Sequence, residues 1–335
     1  MSNRKFKILS IDGGGIRGII PAMFLEEIES SLSVPIWEYF DLICGTSTGG
    51  IIALAIGFEK PMAEIRRLYE IEGYKIFPIS YRKNIFKNAS SMFSMLIGNG
   101  QKYPTNVLEE ELKKEFISNN EFLKMYQSKV GLCIPAVNVS SGQVVVFKTP
   151  HKVINPKEET FSNDANKAVW EVARATSAAP SYFKTAAIEN SFFVDGGLYA
   201  NNPSLVGIIE ARRCGFELSE ISILSLGTGT SIYETPHKKA KNMNLLNWGW
   251  VKGIFELSLE AQSMAVENQV SLLNPQQYKR LQHIFKTKLE LDHMEQLPDF
   301  KCAAEKMIKE NKDGILSEFF TEKAKGFLYP IKGEN

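Results

Sequence analysis

Two glycine clusters constrain this chain more than any other feature. The first is Ile11-Asp12-Gly13-Gly14-Gly15-Ile16-Arg17-Gly18, which follows the apolar run Phe6 to Ile11. The second is Gly45-Thr46-Ser47-Thr48-Gly49-Gly50, which follows Tyr39 to Cys44. In each case a short buried-strand pattern passes through glycines into helical spacing: Gly18 to Leu32 after the first, a helix to Phe58 after the second. A further helix is expected to open at Pro61. Strand, tight turn and helix in succession predict an α/β fold with a mainly parallel sheet flanked by helices.

The rhythm resumes downstream. Lys129 to Thr149 reads as two strands joined at Ser140-Ser141-Gly142, Asn166 to Thr176 as a helix, and Phe192 to Val194 as a strand running into Asp195-Gly196-Gly197. Pro203 opens a helix, Ile221 to Leu226 is a buried strand ending in Gly227-Thr228-Gly229, and Leu245 to Leu273 is largely helical. The last 60 or so residues read as mixed and charged. Residues 81–102 break the pattern, with Arg82, Lys83, Lys87 and Lys102 among Phe86, Met92, Phe93 and Met95 and no acid. They read as an insertion, a candidate membrane-facing lid, with plain cover for the sheet as the alternative. With no repeat and no low-complexity linker, a single domain over residues 1–335 is expected, its motif-bearing core at 6–230 and an extension at 231–335.

Net charge is +1, from 39 basic and 38 acidic side chains, so no global field marks a nucleic-acid binder. The four cysteines stand far apart with no CxxC or Cys/His cluster, which suggests neither a disulfide framework nor a metal site. The N-terminus does not read as a signal peptide, and the apolar stretch 49–58 is too short to cross a bilayer. A cytoplasmic protein meeting membrane only at its surface is the expectation.

Taken alone, Gly13, Gly15 and Gly18 match a dinucleotide fingerprint, with Glu38 and Asp41 as the acids further on. Asp41 fits that role badly, because it falls inside the second strand pattern. The second cluster offers another reading. Gly45-Thr46-Ser47-Thr48-Gly49 is G-x-S-x-G between strand and helix, a nucleophile elbow: Gly45 and Gly49 permit the sharp turn, and the helix N-terminus beneath Ser47 favours negative charge. The first loop would then present backbone N–H groups to a transient oxyanion. No histidine is placed as a base. His151 and His237 follow prolines in polar surroundings, His283 sits in QHIFK, and neither they nor His293 stand in a glycine-framed turn. Asp195, at a strand end and followed by Gly196 and Gly197, does look placed.

The three sites, D-G-G-G-I-R-G at 12–18, G-T-S-T-G at 45–49 and D-G-G at 195–197, resemble in order and spacing the patatin-like phospholipases, over about residues 6–230. The resemblance implies a three-layer α/β/α fold and a lipid acyl hydrolase with a Ser–Asp dyad, no histidine, no metal and no cofactor. By position Ser47 is the nucleophile, Asp195 the base, Gly13 to Gly15 the oxyanion hole, and Arg17 and Gly18 support for that loop. Membrane phospholipid is the implied substrate. Similar compact proteins include bacterial anti-phage effectors switched on by cyclic nucleotides, so a cyclic nucleotide activator and a homo-oligomer enter as expectations. The remaining alternatives are a dinucleotide-dependent enzyme and a non-catalytic lipid- or nucleotide-binding protein.

Overall fold

The computed structural model describes residues 5–79, 102–151, 153, 162–231, 251–287 and 289–326. Its centre is an eight-stranded sheet. In chain order the strands are β1 (Phe6–Ile11), β2 (Leu42–Gly45), β3 (Gly131–Asn138), β4 (Gln143–Lys148), β5 (Ala186–Ile188), β6 (Ser191–Asp195), β7 (Ile221–Leu226) and β8 (Gln277–Leu281). They lie in the order β8-β7-β1-β2-β3-β6-β5, with β4 also paired to β3. The run from β8 to β3 is parallel, whereas β4, β5 and β6 pair antiparallel.

Alternation along the strands explains the layers. In β1, Phe6 and Ile8 join one apolar cluster while Leu9 and Ile11 join the other. Strands buried on both faces need helices on both, as parallel sheets generally do. Helices α1 (Ile19–Glu29), α2 (Thr48–Gly57), α3 (Thr105–Glu115) and α4 (Val169–Thr176) contribute to the larger cluster, and α5 (Ser204–Arg213) to the smaller. Helix α6 (Val251–Leu273) serves both, with Phe255 and Leu259 in the larger cluster and Val266 and Val270 in the smaller. The tail is more ordered than its charged composition suggests. Helix α7 (Leu297–Phe319) buries Leu297, Phe300, Ala304, Met307, Ile315 and Phe319 and packs along α1.

One detail of register positions the site. Strand β3 meets β2 through Gly131 to Cys133 and meets β6, running the opposite way, through Ala136 to Asn138. Strand β4 covers Cys133 to Asn138 on the other edge. Strands β2 and β6 therefore share one edge of β3, and their carboxyl ends point at each other across Ile134 and Pro135.

The expected strand at 39–44 begins later, because Ile36–Tyr39 forms a 3-10 turn. Residues 81–101 of the insertion, His237 and residues 245–250 of the expected helix lie outside the described residues. Among the described residues, no helix is long and apolar enough to cross a membrane.

Candidate active site

Ser47 sits between β2 and α2 with φ 53° and ψ −121°, a conformation that costs a non-glycine residue strain. The turn closes because its flanks have no side chains. A Cβ on Gly45 would fall 2.1 Å from the Gly49 carbonyl oxygen, and one on Gly49 would fall 2.2 Å from that of Ile11. The Ser47 N–H donates to Thr176 Oγ1 at 2.9 Å, and Thr176 Oγ1 in turn donates to the Pro135 carbonyl at 2.6 Å. The elbow is thus tied to β3.

The opposed strand ends bring Asp195 to the serine. Ser47 Oγ donates to Asp195 Oδ2 at 2.6 Å, and the Gly197 N–H donates to Asp195 Oδ1 at 2.8 Å. Asp195 is 2% exposed and Ser47 9%. Burial pushes the Asp195 carboxyl up to about 7; the Ser47 hydroxyl, the Gly197 N–H and the positive charge of Arg174 oppose that shift without cancelling it. A carboxylate that would be a feeble base in water is poised near neutrality here.

The glycine loop lies beside them. The Gly13 N–H donates to the Asn201 carbonyl at 3.0 Å, so it holds the loop in place. Gly15 adopts φ +58° against the Leu291 carbonyl, which accepts the Ile16 N–H at 2.9 Å. Among the described residues no protein acceptor takes the Gly14 or Gly15 N–H. Both glycines line the same cleft as Ser47 and Asp195. Of the three amides expected to face an oxyanion, two are left for it and the first is structural. Arg17 is buried, donating through Nε to the Gly14 carbonyl and through Nη1 to the Gly229 carbonyl, both at 3.2 Å. It braces the loop against the turn after β7. Gly18 backs onto Thr48 and Tyr69, where a side chain would collide.

The cleft is otherwise apolar, walled by Ile51, Leu68, Phe77, Leu108, Phe183 and Phe255. A long hydrocarbon chain fits such a wall. No described histidine lines it. His151 is buried elsewhere, against Glu210 at 2.8 Å. The fold gathers His151, Glu210 and Cys214 within ligating range of one another, a grouping the sequence conceals. Lys148 and Arg213 already engage Glu210, and their charges disfavour a metal there.

Both acids of the dinucleotide reading have protein partners, and Glu38 pairs with Lys323. Asp41 is buried and accepts the Lys7 N–H at 2.9 Å.

Sequence reading missed several residues that hold the site. Arg280, on edge strand β8, reaches across β7 to grip Asp12 with two nitrogens, at 2.8 and 2.6 Å. Thr176, Leu291 and Asn201 were equally unmarked. Only Asn201 carried a signal, an Asn-Asn-Pro run six residues after Asp195.

Comparison with known proteins shows the family. The family described as Patatin-like phospholipase matches residues 9–207, more than half of the chain. A protein named cGAMP-activated phospholipase from Pseudomonas aeruginosa is 32% identical over 267 residues, covering 79% of this chain and 74% of that one. One of the same name from Vibrio cholerae is 33% identical over 260 residues, covering 72% and 70%. The crystal structure of VipD from Legionella pneumophila aligns with a TM-score of 0.44 at 12% identity, over 91% of this chain and 66% of that one. On the strength of the family match and the two phospholipase relatives, the chain belongs to the patatin-like phospholipase family.

Proposed function

We propose that this protein is a lipid acyl hydrolase that releases ester-linked fatty acids from membrane phospholipids. The observation that carries the reading is the 2.6 Å hydrogen bond from Ser47 Oγ to the buried Asp195 carboxylate, at the foot of an apolar cleft. Asp195 takes the Ser47 proton as Oγ attacks the ester carbonyl. The oxyanion meets the Gly14 and Gly15 N–H groups, each such donor being worth roughly 100- to 1000-fold in rate. Collapse expels the alcohol, which takes the proton back from Asp195, and leaves an acyl group on Ser47. Water activated by the same carboxylate then releases the fatty acid. Every step uses this chain's own groups.

The cleft opens to bilayer lipid from the protein surface in this reading. The relatives' names extend the proposal to control: a cyclic dinucleotide of the cGAMP type switches the enzyme on, bound to the catalytic unit or between copies of the chain. The test is fatty acid release from mixed phospholipid vesicles by wild type and Ser47→Ala, with and without cGAMP and other cyclic dinucleotides. Release by wild type alone is expected, increased by one nucleotide. Equal release by Ser47→Ala would overturn the catalytic assignment, and release indifferent to every nucleotide would overturn the switch.

A further inference from the structure

Six residues beyond Asp195, the catalytic scheme leaves one side chain idle. Asn201 follows the short helix Gly197–Ala200, is 5% exposed and lines the cleft. Its main-chain carbonyl accepts the Gly13 N–H, and its side-chain Nδ2 donates to Ser263 Oγ at 2.9 Å. Helix α6 therefore fixes the plane of the amide. That leaves Oδ1, a buried carbonyl oxygen with no donor among the described residues.

The surroundings of Oδ1 say what it faces. A Cβ on Gly13 would fall 2.4 Å from it and 3.3 Å from Ser47 Cβ. A Cβ on Gly197 would fall 3.3 Å from it and 3.1 Å from Asp195 Oδ1. The atom thus borders the space between glycine loop, nucleophile and base. A buried acceptor left unpaired bears its desolvation cost with no return. A partner that is present only during reaction would supply that return.

The partner must bring a hydrogen. The ester carbonyl and the oxyanion are acceptors, so neither suits Oδ1. The alcohol and the attacking water occupy equivalent positions in the two half-reactions, but they differ by one hydrogen. The alcohol oxygen exchanges its single proton with Asp195 and has none to spare. Water gives one proton to Asp195 and keeps another. We propose that Asn201 Oδ1 accepts that second O–H and so holds the hydrolytic water for attack on the acyl group at Ser47. The inference rests on the Ser47–Asp195 reading.

The step balances. One water proton passes to Asp195 while the water oxygen bonds to the acyl carbon. The carbonyl electrons move to the oxygen at Gly14 and Gly15. Collapse then breaks the bond to Ser47 Oγ, which recovers the proton from Asp195, and the fatty acid leaves. Two tethers orient the water better than one, and orientation is a large part of such rates. Asn201 would therefore favour water over an alcohol as the acyl acceptor.

Partition measures this directly. Wild type, Asn201→Ala and Ser263→Ala would be given a medium-chain p-nitrophenyl ester in graded methanol, with cGAMP present and absent. Free acid and methyl ester would be counted. For Asn201→Ala we expect the ratio of methyl ester to acid to rise about 10-fold, with the initial burst of p-nitrophenol within about 3-fold of wild type. Ser263→Ala, which frees the amide from outside the cleft, should shift the ratio the same way by less, and it decides the matter if Asn201→Ala is insoluble. Slower turnover at an unchanged ratio in both variants would mean Asn201 only holds the loop, and would overturn the proposal. Ser47→Ala must lose both products. If it does not, or if wild type forms neither with any cyclic dinucleotide of the vesicle test, the hydrolase reading itself falls and takes this inference with it.

Discussion

In the proposed mechanism the same burial at Asp195 sets both activity and stability. The carboxyl is held up at about 7, so the base form is lost as pH falls through that value. We expect kcat/KM to show an acid limb with an apparent pKa near 7, read from a pH–rate profile at saturating activator. Stability runs the other way. Between pH 4 and 7 the unfolded chain has released this proton while the native state keeps it, so this group's contribution falls as pH rises. Asp195→Asn removes that penalty and keeps an acceptor for the Gly197 N–H. It should melt higher than wild type by an amount that grows from pH 4 to 7, on the order of a few kcal/mol at the top, while activity drops at least roughly 1000-fold. A Tm difference that stays flat with pH would contradict the buried-base assignment. Ser47 shows the same trade. Its φ of 53° is strained for any side chain, so Ser47→Gly should be inactive yet more stable than Ser47→Ala by about 1 kcal/mol, measured by denaturant unfolding.

Among the elements, the legible ones announce themselves through backbone needs. The turn after β1, the elbow after β2 and the turn after β6 each require glycine, and all three are legible in the sequence. Strand β8 is not, because Gln277-Tyr278-Lys279-Arg280-Leu281 has one strongly apolar side chain and sits at the sheet edge. Helix α7 was missed despite apolar residues at helical spacing, since the charges between them dominate its composition. Yet β8 supplies Arg280, whose bidentate grip on Asp12 leaves those side chains only 6% and 2% exposed. Arg280→Lys keeps the charge and loses the fork, and should slow turnover more than about 10-fold with a modest fall in Tm. Arg280→Met strands a buried acid and should cost roughly 3–5 kcal/mol of stability. Unchanged turnover in the lysine variant would show that the grip does not serve the loop.

The molecule as a whole assembles one site from distant stretches of chain: the loop at 12–17, the elbow at 45–49, residues 195–201, and a back wall at 280 and 291. The family match ends at residue 207, so the sequence signature covers the chemistry and not its backing. A chain stopped at Asn274 would keep every motif residue. It should nevertheless fail to hydrolyse and should expose apolar surface to a hydrophobic dye, because β7 loses its outer neighbour and α1 loses α7. The opposed ends of β2 and β6 carry a further consequence. Cys133 is in register with Cys44 and Ala136 with Asp195, so Ile134 and Pro135 act as a spacer gauge that sets the distance between Ser47 and Asp195. Each strand residue adds about 3.3 Å, more than the whole length of the hydrogen bond it governs. An insertion or deletion of one residue there should leave a protein that still folds its sheet but, in the proposed mechanism, can no longer pass a proton.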